Sequence, residues 1–469
     1  MKSMVFLMIL TAFTMTAQAE QIIHIKPLKK SEIRAIQRSL QTGKPLKPKA
    51  VFDLENDDEE ACAPPPFFGL NTQGYVTVPE DWSQPQGRQI KVFYYGRVQT
   101  GREPVVFFNG GPGSDSHGSA QILENSFLET PVQKLSFIYI DQRGTGCSDL
   151  FPTEPTSETV KRLTHYTSEN IVRDSEAVRY KLFGAGSQWK IFGQSYGGLI
   201  VHRYSMVAPS SVKGAYAHGF SLMNDQNDWL TLRVQSQKRV LEIYFQKYPE
   251  DRQKLQKLRS LVAEDLCFKD DDNTKVCGPK VLDALTMFLG FSTSWPRLNS
   301  TIKGLLNEDG TLNMPGLSTF VRSYVYGVYN NSGLAGSVIS IAEISGGESD
   351  QDSCKKVNDK LTAQGENPEN WLINECRLLA GMTNDKWTEL LKEVNLHQQM
   401  TPAMLKESLQ SNPQLPFYLY SGEKDVFVPM ETFTEEVKAL GSLIHYQQFP
   451  NSGHEGFYTE SQVWNDLLK

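Results

Sequence analysis

No internal stretch of the 469-residue chain approaches the roughly 20 consecutive apolar residues that a membrane-spanning helix needs. Positive charge is not in excess either: 47 lysines and arginines stand against 54 acidic side chains, for a net charge of −7 with the signs mixed throughout. The basic footprint of a nucleic-acid-binding protein is therefore missing. Paired Cys-x-x-Cys motifs and histidine clusters are absent, which removes the common zinc sites. A Walker A lysine with its serine or threonine is lacking, and no Gly-x-Gly-x-x-Gly opens a helix, so phosphate and dinucleotide cradles are not expected. The acidic run Glu55–Glu60 reads as a solvated segment. Asp270-Asp271-Asp272 fails the EF-hand spacing and reads as a hairpin tip. Internal repeats are absent.

The N-terminus differs from the rest. Lys2 precedes an apolar run from Met4 to Met15, and Ala17-Gln18-Ala19 follows before Glu20. A positive start, a short apolar run and an Ala-x-Ala site predict a cleaved signal peptide over residues 1–19 and a secreted or periplasmic protein. No cysteine follows that site, so a lipid anchor is not expected. Six cysteines, Cys62, Cys147, Cys267, Cys277, Cys354 and Cys376, suit an oxidising compartment. Nearness in sequence suggests Cys267–Cys277 and Cys354–Cys376, leaving Cys62 for Cys147.

Residues 20–66 read as an extension that contains a helical patch from Ser31 to Leu40 and ends at Pro64-Pro65-Pro66. The run Tyr75–Pro79 and the alternating Gln89–Tyr95 predict an antiparallel hairpin. Three near-continuous apolar runs follow, Val105–Phe108, Phe137–Ile140 and Trp189–Phe192, and they suit strands buried on both faces. Helical spacing over Glu169–Phe183 and a further strand at Gly214–Ala217 complete a β, α, β, α, β order, that of a doubly wound, mostly parallel α/β sheet. From about Leu222 the pattern turns mainly helical, with a lysine-rich amphipathic run over Gln235–Val262. The buried-strand signature returns with Pro416–Tyr420, a helix over Thr432–Leu440 and a strand over Ile444–Phe449. The expected division is a core of residues 67–221 and 412–469, split by a helical cap over 222–411 that sits above the site as a lid.

Between the third apolar run and the next helix stands Gly193-Gln194-Ser195-Tyr196-Gly197. A serine at such a strand-to-helix corner presents its hydroxyl from a strained turn. Glycines are needed at both flanking positions, because a Cβ there would meet the crossing backbone. Ser195 is the expected nucleophile. Serine needs a base, and the base needs an orienting anion. Of eight histidines, His454 lies in a loop directly after the last strand, whereas His117, His202, His218 and His445 lie in helix or strand contexts that suit structural roles. Asp425 follows the penultimate strand, with Glu423 the less favoured choice. The order Ser195, Asp425, His454 is the one this fold class uses. Oxyanion donors are expected from the Tyr196 N–H and from the Gly111 N–H in Asn109-Gly110-Gly111-Pro112-Gly113. Arg143 reads as a loop brace. No metal and no organic cofactor is expected.

These stretches, together with Asp141-Gln142-Arg143-Gly144-Thr145-Gly146-Cys147-Ser148 and the opening Gly74–Trp82, resemble the proline iminopeptidase/tripeptidyl aminopeptidase family of α/β-hydrolases. The resemblance spans about residues 70–220 and 415–469. It implies an α/β-hydrolase fold and removal of residues from the free N-terminus of peptides, with prolyl substrates favoured in part of the family. It also implies that cap carboxylates hold the substrate ammonium, Glu343, Glu348 and Asp350 being among the candidates. The family's oxyanion loop usually begins with histidine, where this chain has Asn109. A carboxylesterase or lipase on the same machinery is the alternative, since fold does not fix substrate. A non-catalytic binding or signalling protein on a hydrolase scaffold is a third reading; the intact set of serine, histidine and aspartate speaks against it, and it predicts no reaction with an organophosphate probe.

Overall fold

Alternation within the apolar runs explains how they are buried. Val106 and Phe108 point into one core and Val105 and Phe107 into another, and Ile138/Ile140 against Phe137/Tyr139 repeat the pattern. Both faces of these strands are therefore apolar and both need a covering layer. The computed structural model supplies them, and describes residues 69–125, 132–152, 156–224, 227–269, 275–326, 350–365 and 400–469, with Gln21–His24 and single positions that include Glu343.

The strands are β1 (Gln21–His24), β2 (Thr72–Pro79), β3 (Gln89–Gly96), β4 (Pro104–Phe108), β5 (Ser136–Ile140), β6 (Trp189–Gln194), β7 (Val212–His218), β8 (Leu266–Lys269), β9 (Lys275–Cys277), β10 (Phe417–Gly422) and β11 (His445–Phe449). Eight of them form one sheet in the order β11-β10-β7-β6-β4-β5-β3-β2. The expected hairpin, β2 with β3, is antiparallel and joins antiparallel to β5, and every other pairing in this sheet is parallel. Helices Ser168–Phe183 and Tyr196–Val207 cover one face, burying Ile171, Val172 and Val178 with Leu199, Ile200, Val201 and Tyr204. Helices His117–Asn125 and Ser461–Leu468 cover the other with Ala120, Ile122 and Leu123 and with Val463, Trp464 and Leu467. Each fully buried phenylalanine or leucine contributes about 1.5–3 kcal/mol.

Between β7 and β10 the chain builds a second apolar core around Tyr244, Leu258, Phe268, Leu285, Phe288, Trp295 and Leu298. The amphipathic run there is two helices, Asn227–Lys247 and Pro249–Leu261. Pro249 takes the first turn of the second helix, where a missing N–H costs nothing, and it cannot continue the first. This stretch is not wholly helical. β8 and β9 form an antiparallel hairpin joined by a Cys267–Cys277 disulfide, as expected, and β1 from the N-terminal extension pairs parallel to β8. Periodicity had pointed to no strand at Gln21–His24, since four residues carry too little pattern. Helix Pro402–Ser411, capped by Thr401, buries Leu405 and Leu409 in the main core. Cys354 is disulfide-bonded. Its expected partner Cys376, Cys62, the patch Ser31–Leu40, the signal sequence and Asp270–Asp272 lie outside the described residues.

Candidate active site

Parallel pairing puts the ends of β4, β5, β6, β7, β10 and β11 along one edge of the sheet, and the predicted residues follow those ends. Ser195 comes directly after β6 with φ 57° and ψ −126°; among the described residues it alone of the non-glycines has a positive φ. Neighbouring backbone forces this turn. A Cβ on Gly193 would lie 2.0 Å from the Gly197 carbonyl oxygen, and one on Gly197 would lie 1.9 Å from that of Phe108. The Ser195 N–H donates to the His218 carbonyl at 2.8 Å, and its own carbonyl accepts from the Gly198 N–H at 2.7 Å. Backbone strain of this kind persists where surrounding structure over-determines it.

His454 and Asp425 form a buried pair, Nδ1 to Oδ2 at 2.6 Å. The other Asp425 oxygen accepts from the N–H groups of Phe427 and Val428, at 2.8 and 2.9 Å. With a carboxylate as its partner, Nδ1 carries the proton and Nε2 is left as an acceptor. Phe427 and Phe291 pack edge-on to the imidazole, 5.2 and 5.9 Å between centroids. Gly219 shows how this pair meets the serine turn. A Cβ on it would sit 3.2 Å from the His454 Cε1 and Nδ1 atoms and 3.5 Å from Asp425 Oδ2, and its neighbour His218 holds the Ser195 N–H. Ser195, Asp425 and His454 are thereby gathered around His218–Gly219. Glu423, the less favoured carboxylate, uses its N–H to reach the Phe449 carbonyl.

The glycine loop after β4 lies against the serine, since a Cβ on Gly110 would fall 2.7 Å from Ser195 Cβ. Gly111 has φ +127°, a region open to glycine. Among the described residues, no backbone carbonyl accepts from the N–H of Gly111 or of Tyr196. Asn109, at the position where the resembled family usually has histidine, anchors this loop. Its Nδ2 donates to the Asp115 carbonyl at 2.6 Å, its Oδ1 accepts from the Ser119 hydroxyl, and its carbonyl accepts from Gln142 Nε2 at 2.8 Å.

Arg143 is a buried brace. It binds both Asp174 oxygens, at 2.7 and 2.6 Å, and donates to the carbonyls of Glu80 and His165. His117, Asp141 and Cys147 converge in a buried cluster whose ligand atoms lie within 4.8 Å of one another. The Asp141 carboxylate there is already occupied by the N–H and hydroxyl of Ser116 and the N–H of Cys147. Burial pushes its pKa up, but His117 and these donors outweigh that and hold it below the usual range. It acts as the fastening of the Gly144–Ser148 turn. His202 is buried between the Gly198 carbonyl and Glu436, and His445 of β11 stacks on Tyr418 of β10.

Three features were not legible in the sequence. His218 is fully buried beside the site, and burial first, then the nearby His454, push its pKa down to about 3, so it stays neutral. Glu343 is buried too. It accepts from the N–H and hydroxyl of Ser168 and from the Tyr196 hydroxyl at 2.8 Å, which leaves it little capacity for a substrate ammonium. Glu348 and the side chain of Asp350 lie outside the described residues. Glu455, next to His454, is buried as well. Only long-range packing buries these side chains and brings Glu343 and Glu455 their partners, and no local spacing encodes it.

Residues 103–263 match the family model of the alpha/beta hydrolase fold. A proline iminopeptidase of Aspergillus aculeatus is 22% identical over 348 residues, covering 69% of this chain and 75% of that protein. A proline iminopeptidase of Aeromonas sobria is 28% identical over 158 residues, 31% of this chain and 36% of that one. Among solved structures, a proline iminopeptidase-related protein from Thermus thermophilus is similar at 13% identity over 84% of this chain and 95% of its own, with a TM-score of 0.38. A hydrolase from Bacillus anthracis is also 13% identical over 85% of this chain and 100% of its own, with the same TM-score, 0.38. Likeness at this level says nothing about substrate.

Proposed function

Since the chain is an α/β-hydrolase with proline iminopeptidases among its relatives, we propose that it is a secreted serine exopeptidase releasing residues from the free N-terminus of peptides. The observation that carries the reading is the buried His454–Asp425 pair beside a strained Ser195 turn. Ser195 Oγ attacks the scissile carbonyl carbon while His454 Nε2 takes its proton. Asp425 holds the opposite ring nitrogen and stabilises the imidazolium. The N–H groups of Tyr196 and Gly111 receive the developing oxyanion. Collapse of the tetrahedral adduct breaks the C–N bond, and His454 returns the proton to the leaving amine. Water then attacks the acyl-Ser195 ester with the same base. No metal or organic cofactor enters these steps. Residues 222–411 serve as the cap that selects the substrate, and its Cys267–Cys277 bond and the signal-like N-terminus support secretion.

The test compares mature protein with Ser195→Ala on four chromogenic substrates: a prolyl amide and a tripeptidyl amide with free amines, the N-acetylated twin of the latter, and a short-chain ester. Turnover of the free-amine amides but not the blocked twin, lost in the variant, is the expected result. The faster amide says how many residues leave. Turnover of the ester alone would replace the peptidase reading with a carboxylesterase.

A further inference from the structure

The loop that carries His454 is not held by the sheet alone. Its N–H donates to the Gly290 carbonyl at 2.8 Å, and Gly290 belongs to the stretch between β7 and β10. Gly453 is pressed so close that a Cβ on it would lie 2.3 Å from the same carbonyl oxygen. Two residues on, Ser292 donates through its hydroxyl, and Thr293 through its N–H at 3.2 Å, to one oxygen of Glu455. The Ser292 hydroxyl also lies 3.2 Å from the Asn451 carbonyl. Phe291, between these contacts, is the ring that packs on the imidazole. The Gly290–Thr293 turn and the Asn451–Glu455 loop are thus zipped together, with His454 between the two fastenings.

We propose that Glu455 is a positioning residue for the base, its buried carboxylate tying the His454 loop to the Gly290–Thr293 turn and so holding the imidazole in register with Ser195. The proposal rests on the serine-hydrolase reading above. An acidic side chain after a loop histidine would ordinarily point to water. Here it is 1% exposed. Burial pushes its pKa up, offset in part by Ser292, by the N–H groups of Glu455 and Gly453, and by Thr293. Burying a carboxyl is costly unless its acceptors are used. Its hydrogen-bond donors, Ser292 and Thr293, both come from the far segment and share one oxygen, while the other oxygen is buried without a hydrogen-bond partner among the described residues. Losing them leaves the His454 loop held to that turn by the His454 N–H and the Ser292–Asn451 contact, with the C-terminal side of the histidine released.

The experiment measures kcat and KM per active site titrated with an organophosphonate, for Glu455→Ala, Glu455→Gln and Ser292→Ala. Glu455→Ala is expected to lower kcat per titrated site roughly 10²-fold with KM changed less than about threefold, the cost of a displaced base. Glu455→Gln keeps an acceptor for Ser292 and Thr293 and restores most of that loss. Ser292→Ala, which touches only the far side, loses about tenfold. If Glu455→Ala does not fold, Ser292→Ala decides. Unchanged kcat per titrated site in the variants that fold, with only a lowered melting temperature, overturns the proposal. The proton shared by His454 and Asp425, followed by NMR, gives a readout independent of substrate. Its loss or broadening in Glu455→Ala supports positioning, and an unmoved resonance refutes it. A wild type that neither reacts with the phosphonate nor turns over any substrate refutes the hydrolase reading instead.

Discussion

Replacing Asp425 by asparagine changes one atom, and the geometry dictates how the new amide must sit. One carboxylate oxygen now accepts two backbone N–H groups, from Phe427 at 2.8 Å and Val428 at 2.9 Å, and the other faces His454 Nδ1 at 2.6 Å. If the amide kept its oxygen toward His454, its NH2 would confront two buried donors. Each donor left unsatisfied costs about 1–3 kcal/mol, so that orientation is disfavoured by roughly 2–6 kcal/mol. The amide therefore keeps its oxygen on the two N–H groups and turns its NH2 to the imidazole. Nδ1 must then accept, the ring proton moves to Nε2, and Nε2, the base of the proposed reaction, can no longer take a proton. A triad held in the wrong tautomer loses about 10⁴ in kcat, which corresponds to roughly 5.5 kcal/mol of barrier. Because the backbone hydrogen bonds survive, the melting temperature should move by no more than about 3 °C, the equivalent of less than ~1 kcal/mol. The assay is kcat on the better free-amine amide, alongside a melting curve. An Asp425→Asn enzyme that keeps a tenth or more of the activity (roughly, against the 10⁴ expected) and folds normally would refute the tautomer argument and the assignment of Asp425.

His218 is held neutral at about pKa 3, whereas a free imidazole titrates near 6.5. Between those values the unfolded chain binds a proton that the folded chain does not, so stability is complete above about 6.5 and falls by roughly 1.4 kcal/mol per pH unit as pH drops through the window. His218→Gln should remove that slope from urea midpoints taken at several acidic pH values, and parallel curves would sink the idea. Glu343→Gln should leave KM for free-amine substrates unchanged, because its acceptors are already engaged by Ser168 and Tyr196, and a large rise in KM would restore it as an ammonium receptor. Replacing both Cys267 and Cys277 by alanine opens a loop with a sequence separation of 10 and should cost about 3 kcal/mol in chemical denaturation. Gly197→Ala places a Cβ 1.9 Å from the Phe108 carbonyl oxygen, a rigid backbone atom, and should cost about 3 kcal/mol or more in melting and yield. A soluble variant with wild-type stability would show that the turn can give way.

The strands of the core were legible because two-sided burial writes itself as uninterrupted apolar runs, and β4, β5 and β6 fall within a residue or two of those runs. The serine turn was legible for a steric reason: Gly193 and Gly197 have crossing backbone where a side chain would be. The place of Asp425 at the end of the turn after β10, before an apolar return, then picked it out over Glu423, and the structure pairs it with His454. The part that stayed hidden depends on segments far apart in sequence. Glu343 meets Ser168 across 175 residues and Tyr196 across 147, and Glu455 meets Ser292 across 163. Nothing in the local pattern of an acidic residue distinguishes a buried acceptor from a solvated one.

That distance dependence bears on how the stretch between β7 and β10 relates to the core. A lid that only covered a site would touch its rim and leave the turns beneath it self-supporting. Here the long helix of that stretch reaches the Asp425 turn, Ser236 Oγ donating to the Asp425 carbonyl at 3.3 Å and Arg239 to that of Glu423 at 3.0 Å. Val426, next to Asp425, is buried in the core of that stretch rather than in that of the sheet. The His454 N–H ends on Gly290, and the Tyr196 hydroxyl ends on Glu343. Each of these bonds contributes only about 1 kcal/mol, but they converge on the three turns whose relative placement would govern proton transfer in the proposed reaction. Excising residues 222–411 would therefore not expose a working hydrolase core. It would strip buried acceptors and donors from all three turns at once.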